Sequence, residues 1–320
     1  MSDVTVIGAG AWGTALAIQA ARAGARVRLW ARDPARAAEI TAQRESPRLP
    51  GARLTDQVTV IHDLSQVTGI ALVAVPMQHQ RSVLARLLPG TGPLVICAKG
   101  IETGTRLLPL EVVEAVRPGA QAAVLTGPNF AHEIAAGLPA AAVVAAGQAA
   151  LRDRVIGALS TSTFRLYGND DPIGAQVGGA AKNVIAIAAG TVIGAGLGEN
   201  ARAALITRGL AELARLAVAL GGRAETVMGL SGLGDLLLTC TGPASRNYSL
   251  GFALGRGEKL ADVLAARSAV TEGVATAPAL VARAAGVDVP ICTAVAALLE
   301  GRTTLREATA NLLSRPLRDE

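Results

Sequence analysis

Of 30 lysines and arginines in this chain only three are lysine, Lys99, Lys182 and Lys259. Arginine stays protonated, whereas a lysine amine can release and recover its proton. A chain that uses arginine for most cations therefore marks its few lysines as candidate proton carriers. Lys259 follows Gly257-Glu258 in a polar stretch and reads as a solvated charge. Lys99 ends an apolar run over 94–98, where a charge falls on the carboxyl edge of a sheet, the edge that meets ligands; a strand-ending solvent charge is the rival. Lys182 lies in the nearly charge-free stretch 178–190, GGAAKNVIAIAAG. There it either snorkels to water or sits in a cleft with a lowered pKa suited to proton transfer. The residues alone leave both open.

A second chemical signal opens the chain. Gly8, Gly10 and Gly13 have the spacing G-x-G-x-x-G between an apolar run and a helical pattern. The first glycine permits a tight turn, the second lets the backbone approach a pyrophosphate, and the third lets the helix lie close to the sheet. The helix start then offers free N–H groups and a partial positive charge to phosphate. Strand before and helix after are the context this motif needs to mean dinucleotide binding. The next strand ends in Trp30-Ala31-Arg32-Asp33-Pro34. Arg32 suits a ribose 2′-phosphate, favouring NADP(H), with NAD(H) also allowed. Asp33 is the rival acid, but Asp before Pro is also an ordinary helix start.

These groups need a frame. Short apolar runs at 4–7, 27–31, 58–61, 70–75, 94–98 and 122–125, with a further candidate at 140–146, alternate in part with helical patterns at 12–23, 34–43 and 78–88. That alternation predicts an α/β domain with a doubly wound, mostly parallel sheet. After Asp171-Pro172 the strand signals fade. Long Ala/Leu/Ile segments at 174–189, 201–220, 248–254, 260–266, 276–285 and 293–299 predict an all-helical second domain. The expected division is 1–173, dinucleotide-binding, and 174–320, helical and catalytic. Two domains fit 320 residues. With aromatics at 2% of the chain, the core must be aliphatic, and 36 glycines imply tight turns and close helix contacts.

Several classes are excluded. The net charge of +5 is scattered, with no basic run or aromatic platform for nucleic acid, and suits small anionic molecules. Cys97, Cys240 and Cys292 are too far apart for a disulfide framework or zinc site, and read as buried small hydrophobes in a reducing compartment. His62, His79 and His132 lack metal-ligand spacing, so no metal is expected. The first strand starts at Val4, leaving no room for a signal peptide, and no apolar run reads as a membrane span. The expectation is a soluble cytoplasmic protein, with a homodimer allowed and oligomeric state otherwise open.

The assembled segments resemble bacterial-type NAD(P)-dependent glycerol-3-phosphate dehydrogenases over nearly the whole chain. The resemblance rests on 8–17 (GAGAWGTALA), 97–102 (CAKGIE), 127–134 (GPNFAHEI), 178–190, 200–209 (NARAALITRG), 232–235 (GLGD), 238–241 (LTCT), 245–247 (SRN) and 270–273 (VTEG). It implies that Lys182 is the general acid/base, and that Lys99 lies near both substrate and nicotinamide. It implies substrate contacts from Gly127, Asn129, Asp235, Ser245, Arg246 and Asn247. Cofactor contacts are implied for Ala11, Trp12, Arg32, Ala131, Val270 and Glu272, and for Arg246 as well. Ala11, Thr126 and Asn129 stand where members often carry serine. Read alone, Asp235 is equally a helix cap after Gly234, Arg246 a turn residue, and Asn183 a helix-packing residue. The rival readings are a β-hydroxyacid dehydrogenase and a non-catalytic NADP-binding sensor.

Overall fold

The structure, a computed structural model, describes residues 2–267 and 269–316; the expected domain limits at 1 and 320 lie outside the described residues. The chain divides into two compact units, Met1–Lys99 with Leu107–Gln176, and Gly100–Arg106 with Val177–Glu320.

The first unit is a single eight-stranded sheet flanked by helices. Its strands are β1 (Asp3–Ile7), β2 (Arg26–Trp30), β3 (Val58–Ile61), β4 (Ile70–Val73), β5 (Leu94–Ile96), β6 (Ala122–Thr126), β7 (Ala140–Ala145) and β8 (Phe164–Asn169). They lie in the order β3-β2-β1-β4-β5-β6-β7-β8. Every neighbouring pair is parallel except β6 with β7. The helices are α1 (Ala11–Arg22), α2 (Pro34–Gln43), α3 (Met77–Leu84), α4 (Pro109–Val116), α5 (Ala131–Ala136) and α6 (Ala149–Leu159). The parallel strands β4 and β5 are wholly apolar and buried because both sheet faces are covered, whereas β1 and β2 also carry Asp3, Thr5, Arg26 and Arg28. The strand order reverses between β1 and β4, so the carboxyl ends of these two strands form the crevice where such sheets bind ligands.

β8 carries no expectation from the sequence. Only Phe164 and Leu166 of its residues are buried, alternating with exposed Arg165 and Tyr167. An edge strand of this kind leaves a short alternating signal that long helical patterns nearby outweigh.

The second unit is helical. It contains α7 (Pro172–Gly194), which begins in the first unit, then α8 (Glu199–Ala219), α9 (Ala224–Val227), α10 (Asp235–Cys240), α11 (Arg246–Gly255), α12 (Leu260–Ala265), α13 (Glu272–Arg283), α14 (Pro290–Leu299) and α15 (Leu305–Leu313). A π-helical turn, Leu230–Gly234, leads into α10. α7 is long and apolar enough to cross a membrane, but 83% of its apolar window is buried inside the protein. That is the behaviour of a core helix. α7 and α11 touch through glycine: a Cβ added at Gly190 or Gly194 would lie 2.0 or 2.1 Å from the carbonyl oxygen of Tyr248 or Phe252. The relation is reciprocal, since a Cβ at Gly251 would sit 1.9 Å from the Ile187 carbonyl oxygen. Glycines four apart on both helices thus remove the side chains that would hold the two backbones apart.

Candidate active site

The glycine turn of the first unit is built as its spacing demands. Gly8 has φ +119, and a Cβ there would fall 2.9 Å from the Ala74 carbonyl oxygen beyond β4. A Cβ on Gly13 would overlap the Gly8 carbonyl oxygen at 1.8 Å, so the helix can start this close only with glycine. Gly10 faces open space. It is the N-cap of α1 and provides no side-chain cap. The N–H groups of Ala11, Trp12 and Gly13 therefore precede the first helical bond, from Thr14 N–H to the Gly10 carbonyl. Unused N–H groups at the end of a twelve-residue helix, beside a position free of side-chain atoms, fit a dinucleotide pyrophosphate. Buried Ser46 donates to the Ala9 carbonyl at 3.1 Å and props the turn from behind.

Arg32 stands exposed just past β2, with no ion pair among the described residues. Its neighbour Asp33 is occupied: it is the N-cap of α2 and accepts from Ala35 N–H at 3.0 Å, with Pro34 in the first turn. Lys99 lies three residues beyond the end of β5, half-buried, and its Nζ donates to the Gly127 carbonyl at 3.0 Å. Gly127 (φ +142) turns the chain off β6, and a Cβ there would press to 3.0 Å on Ala142 Cα. Asn129 donates from Nδ2 to the Ala141 carbonyl at 3.2 Å, while its Oδ1 is buried without a hydrogen-bond partner. Ala131 begins α5. Arg22, at the end of α1, donates to the Ile134 and Ala135 carbonyls and so ties α5 to the helix that starts at the glycine turn.

The second unit gathers side chains around α7. Lys182 is 8% exposed and does not snorkel. Its Nζ donates to Asp235 Oδ1 at 2.7 Å and to Thr239 Oγ1 at 2.8 Å. Asp235, at 1% exposure, opens α10, and Thr239 is one turn further on the same face. The Thr239 hydroxyl donates to the Asp235 carbonyl at 2.6 Å, so its oxygen faces Nζ as an acceptor. A buried ammonium is tolerable only with such partners. The next residue on α7, Asn183, accepts through Oδ1 from Asn247 Nδ2 at 2.9 Å, and Asn247 Oδ1 accepts from Gly273 N–H at 3.0 Å. The short α7–α11 approach makes this side-chain bridge possible.

Ser245 is the N-cap of α11, its hydroxyl accepting from Tyr248 N–H at 3.2 Å. Exposed Arg246 folds back to donate to the Val270 carbonyl at 2.6 Å. Glu272 begins α13. All three cysteines are buried, and desolvation pushes the Cys97 and Cys240 thiols up to about 12. Burial thus disfavours the thiolate of Cys240, which sits beside the Lys182 cluster. Among the described residues no group of three His, Cys, Asp or Glu side chains is placed to hold a metal ion.

Two residues of this cluster were not singled out by residue type. Thr239 had a usable signal, its i, i+4 spacing from Asp235. Asn183 read as packing, and only the fold reveals the Asn247 partner that makes it part of a polar network.

Comparison with known proteins points to one family. The family described as NAD-dependent glycerol-3-phosphate dehydrogenase matches in both parts, its N-terminus over residues 3–151 and its C-terminus over residues 171–310. The chain is 57% identical over 320 residues to the glycerol-3-phosphate dehydrogenase (NAD(P)+) of Acidiphilium cryptum (strain JF-5), covering 99% of this chain and 98% of that one. It is 52% identical over 318 residues to that of Gluconobacter oxydans (strain 621H), covering 98% and 97%. The crystal structure of the Coxiella burnetii glycerol-3-phosphate dehydrogenase superposes with a TM-score of 0.93 at 36% identity, covering 98% of this chain and 99% of that one. The chain belongs to the NAD(P)-dependent glycerol-3-phosphate dehydrogenase family.

Proposed function

We propose that this protein interconverts dihydroxyacetone phosphate and sn-glycerol 3-phosphate with NAD(P)H, supplying glycerol 3-phosphate for phospholipid synthesis in the cytoplasm. The observation that carries the reading is the buried Lys182–Asp235–Thr239 cluster. A nicotinamide cofactor supplies or accepts the hydride at the substrate C2. As the carbonyl oxygen gains negative charge, the Lys182 ammonium gives it a proton; in the reverse direction the neutral amine takes the proton back. Asp235 and Thr239 fix two of the directions in which Nζ can point, and Asp235 also balances its charge.

The remaining roles divide between the units. Gly8, Gly10, Ala11, Trp12 and Gly13 hold the cofactor, with Ala131, Val270 and Glu272 as further contacts. Arg32 favours NADP(H) over NAD(H), because its guanidinium has no carboxylate to serve and Asp33 is committed to its cap. Lys99, Gly127, Asn129, Asp235, Ser245, Arg246 and Asn247 hold the substrate, with Arg246 on its phosphate and also on the cofactor. Asn129 brings a carboxamide acceptor where many members place a hydroxyl, and its unpartnered Oδ1 is available to a ligand donor.

The test is direct. Purified protein should oxidise NADPH, and NADH less well, when given dihydroxyacetone phosphate. Lys182→Ala should lower kcat by about 10²–10⁴-fold while cofactor binding survives. A variant that keeps the full rate would remove Lys182 from the chemistry.

A further inference from the structure

The segment before α13 carries an arginine that neither the motifs nor the proposed roles include. Arg267 is half-buried, and its guanidinium reaches the first turn of α11: it donates to the Arg246 carbonyl at 2.7 Å and to Ser249 Oγ at 3.1 Å. Arg246 returns the contact, donating to the Val270 carbonyl. Each arginine thus holds the other's backbone segment, which closes the loop before α13 onto the start of α11.

The charges of this clasp are unbalanced. Neither guanidinium forms an ion pair among the described residues; the groups they donate to are carbonyls and hydroxyls. Burial, and then the Arg246 charge beside it, hold the Arg267 guanidinium below its ordinary value, against a weaker opposite pull from Glu258. The N–H groups of Arg246 and Asn247 lie in the first helical turn ahead of the Tyr248 N–H that Ser245 caps. The Asn247 carboxamide gives one N–H to Asn183 and accepts from Gly273 N–H, so at this residue the second amide N–H and the backbone N–H remain for a ligand. Two adjacent cations without an ion pair among the described residues, beside unused backbone donors and with only a weak pull from Glu258, are an arrangement completed by a dianion.

We infer that Arg267 is a positioning and specificity residue for the substrate phosphate: it fixes the backbone that carries Arg246 and adds the second positive charge that favours a phosphomonoester dianion over a monoanion. The inference rests on the assignment of Arg246 to the substrate phosphate. With a single arginine the seat would hold a phosphate but discriminate weakly between charge states. The Arg267 clasp also fixes the backbone from which the exposed Arg246 side chain extends.

The test uses the full-length enzyme and inorganic phosphate as a competitive inhibitor of dihydroxyacetone phosphate. Arg267→Met is expected to raise KM and the phosphate inhibition constant together, each about tenfold, with kcat within about twofold and a shallower dependence of KM on salt. Arg267→Lys, which keeps the charge but cannot span two acceptors, is expected to recover part of both. If Arg267→Met leaves KM and phosphate inhibition within twofold of the parent, or lowers only thermal stability and kcat, the inference is wrong. Should the Met variant fail to fold, an Arg267→Lys enzyme with parental KM, phosphate inhibition and salt dependence overturns it equally. Arg246→Ala separates the two readings. Unchanged phosphate inhibition in that variant removes Arg246 from the phosphate, whatever Arg267 does.

Discussion

The two units use glycine for opposite ends. In the first, Gly8 and Gly127 adopt positive φ where the chain leaves β1 and β6, and Gly10 faces empty space. Those glycines expose backbone, so these turns present largely N–H and carbonyl groups held at strand tips. In the second, Gly190, Gly194, Gly251 and Gly255 lie inside helices, each with its missing Cβ 1.9–2.3 Å from a carbonyl oxygen of the other helix. They expose nothing; they bring α7 against α11. The polar cluster there is made of side chains, and the distance between two helices decides whether Asn183 can meet Asn247. The first unit exposes backbone at its turns, and the second assembles a buried polar cluster by packing.

Substituting one glycine of each kind should break the comparison if it is false. Gly251→Val places atoms on the Ile187 carbonyl, which belongs to a buried helix and cannot retreat. The expected loss is about 3 kcal/mol of stability or more, read as a large fall in Tm, with activity lost alongside. Gly10→Ala meets no atom, so folding should change by about 1 kcal/mol or less. Cofactor affinity should nonetheless fall about tenfold, because the methyl stands where the pyrophosphate must approach. If both variants unfold alike, or Gly251→Val melts with the parent, glycine is not divided in this way.

Buried charge gives a second contrast. Among the described residues the first unit buries one charged residue, Asp171, beside neutral groups such as Thr5, Thr14, Gln19 and Gln80, whereas the second buries Glu102, Lys182, Glu212 and Asp235. Glu212 has nothing to do with the lysine cluster. Its carboxylate, on α8, accepts from Ile291 and Cys292 N–H at 2.7 and 3.1 Å and so caps α14. Glu212→Ala leaves two buried N–H groups unpaired and should cost about 2–3 kcal/mol. The pH dependence has a definite sign. Desolvation raises the folded-state pKa above the ordinary 4.5, outweighing the two backbone bonds that lower it. The folded form then holds a proton that the unfolded form has released, so stability falls as pH rises from 4.5 toward the raised value. Glu212→Gln cannot titrate. Its stability relative to the parent should therefore improve with pH over that window in denaturant titrations, and a flat difference would show that the backbone bonds win.

What was legible in the chain follows the same division. The glycine turn was readable because its strand, spacing and helix are contiguous in sequence. Each glycine then occupies the place that its spacing predicts. Lys182 was readable as an anomaly, a lone cation in an apolar helix, but its burial was not, since that depends on Asp235 and Thr239 being brought to it from 53 and 57 residues away. Asn183 was readable as a helix-packing residue, but its partner Asn247 was not, for the same reason. The abundance of glycine implied close helix contacts without showing that Gly190, Gly194, Gly251 and Gly255 would make them or which helices met. The reversed direction of β7 and the existence of β8 were not legible, because direction leaves no mark in a short apolar run and a half-exposed edge strand leaves little. Sequence reported what turns determine locally and was silent on what helix crossings assemble.

The smallest effect sharpens the comparison at the tip of β2, where two neighbouring charges compete for one role. Asp33 is spent on Ala35 N–H as the cap of α2, while exposed Arg32 has no ion pair among the described residues. Asp33→Ala should therefore cost about 1 kcal/mol of stability and leave the ratio of kcat/KM for NADPH over NADH unchanged. Arg32→Gln should do the reverse, keeping Tm and lowering that ratio several-fold, because a guanidinium that pairs with a 2′-phosphate contributes nothing to the fold. An Asp33→Ala enzyme whose preference moves toward NADPH by more than about threefold would mean that the acid reads the ribose in spite of its cap. The first unit would then be reading its ligand with a side chain that it also needs for its own structure.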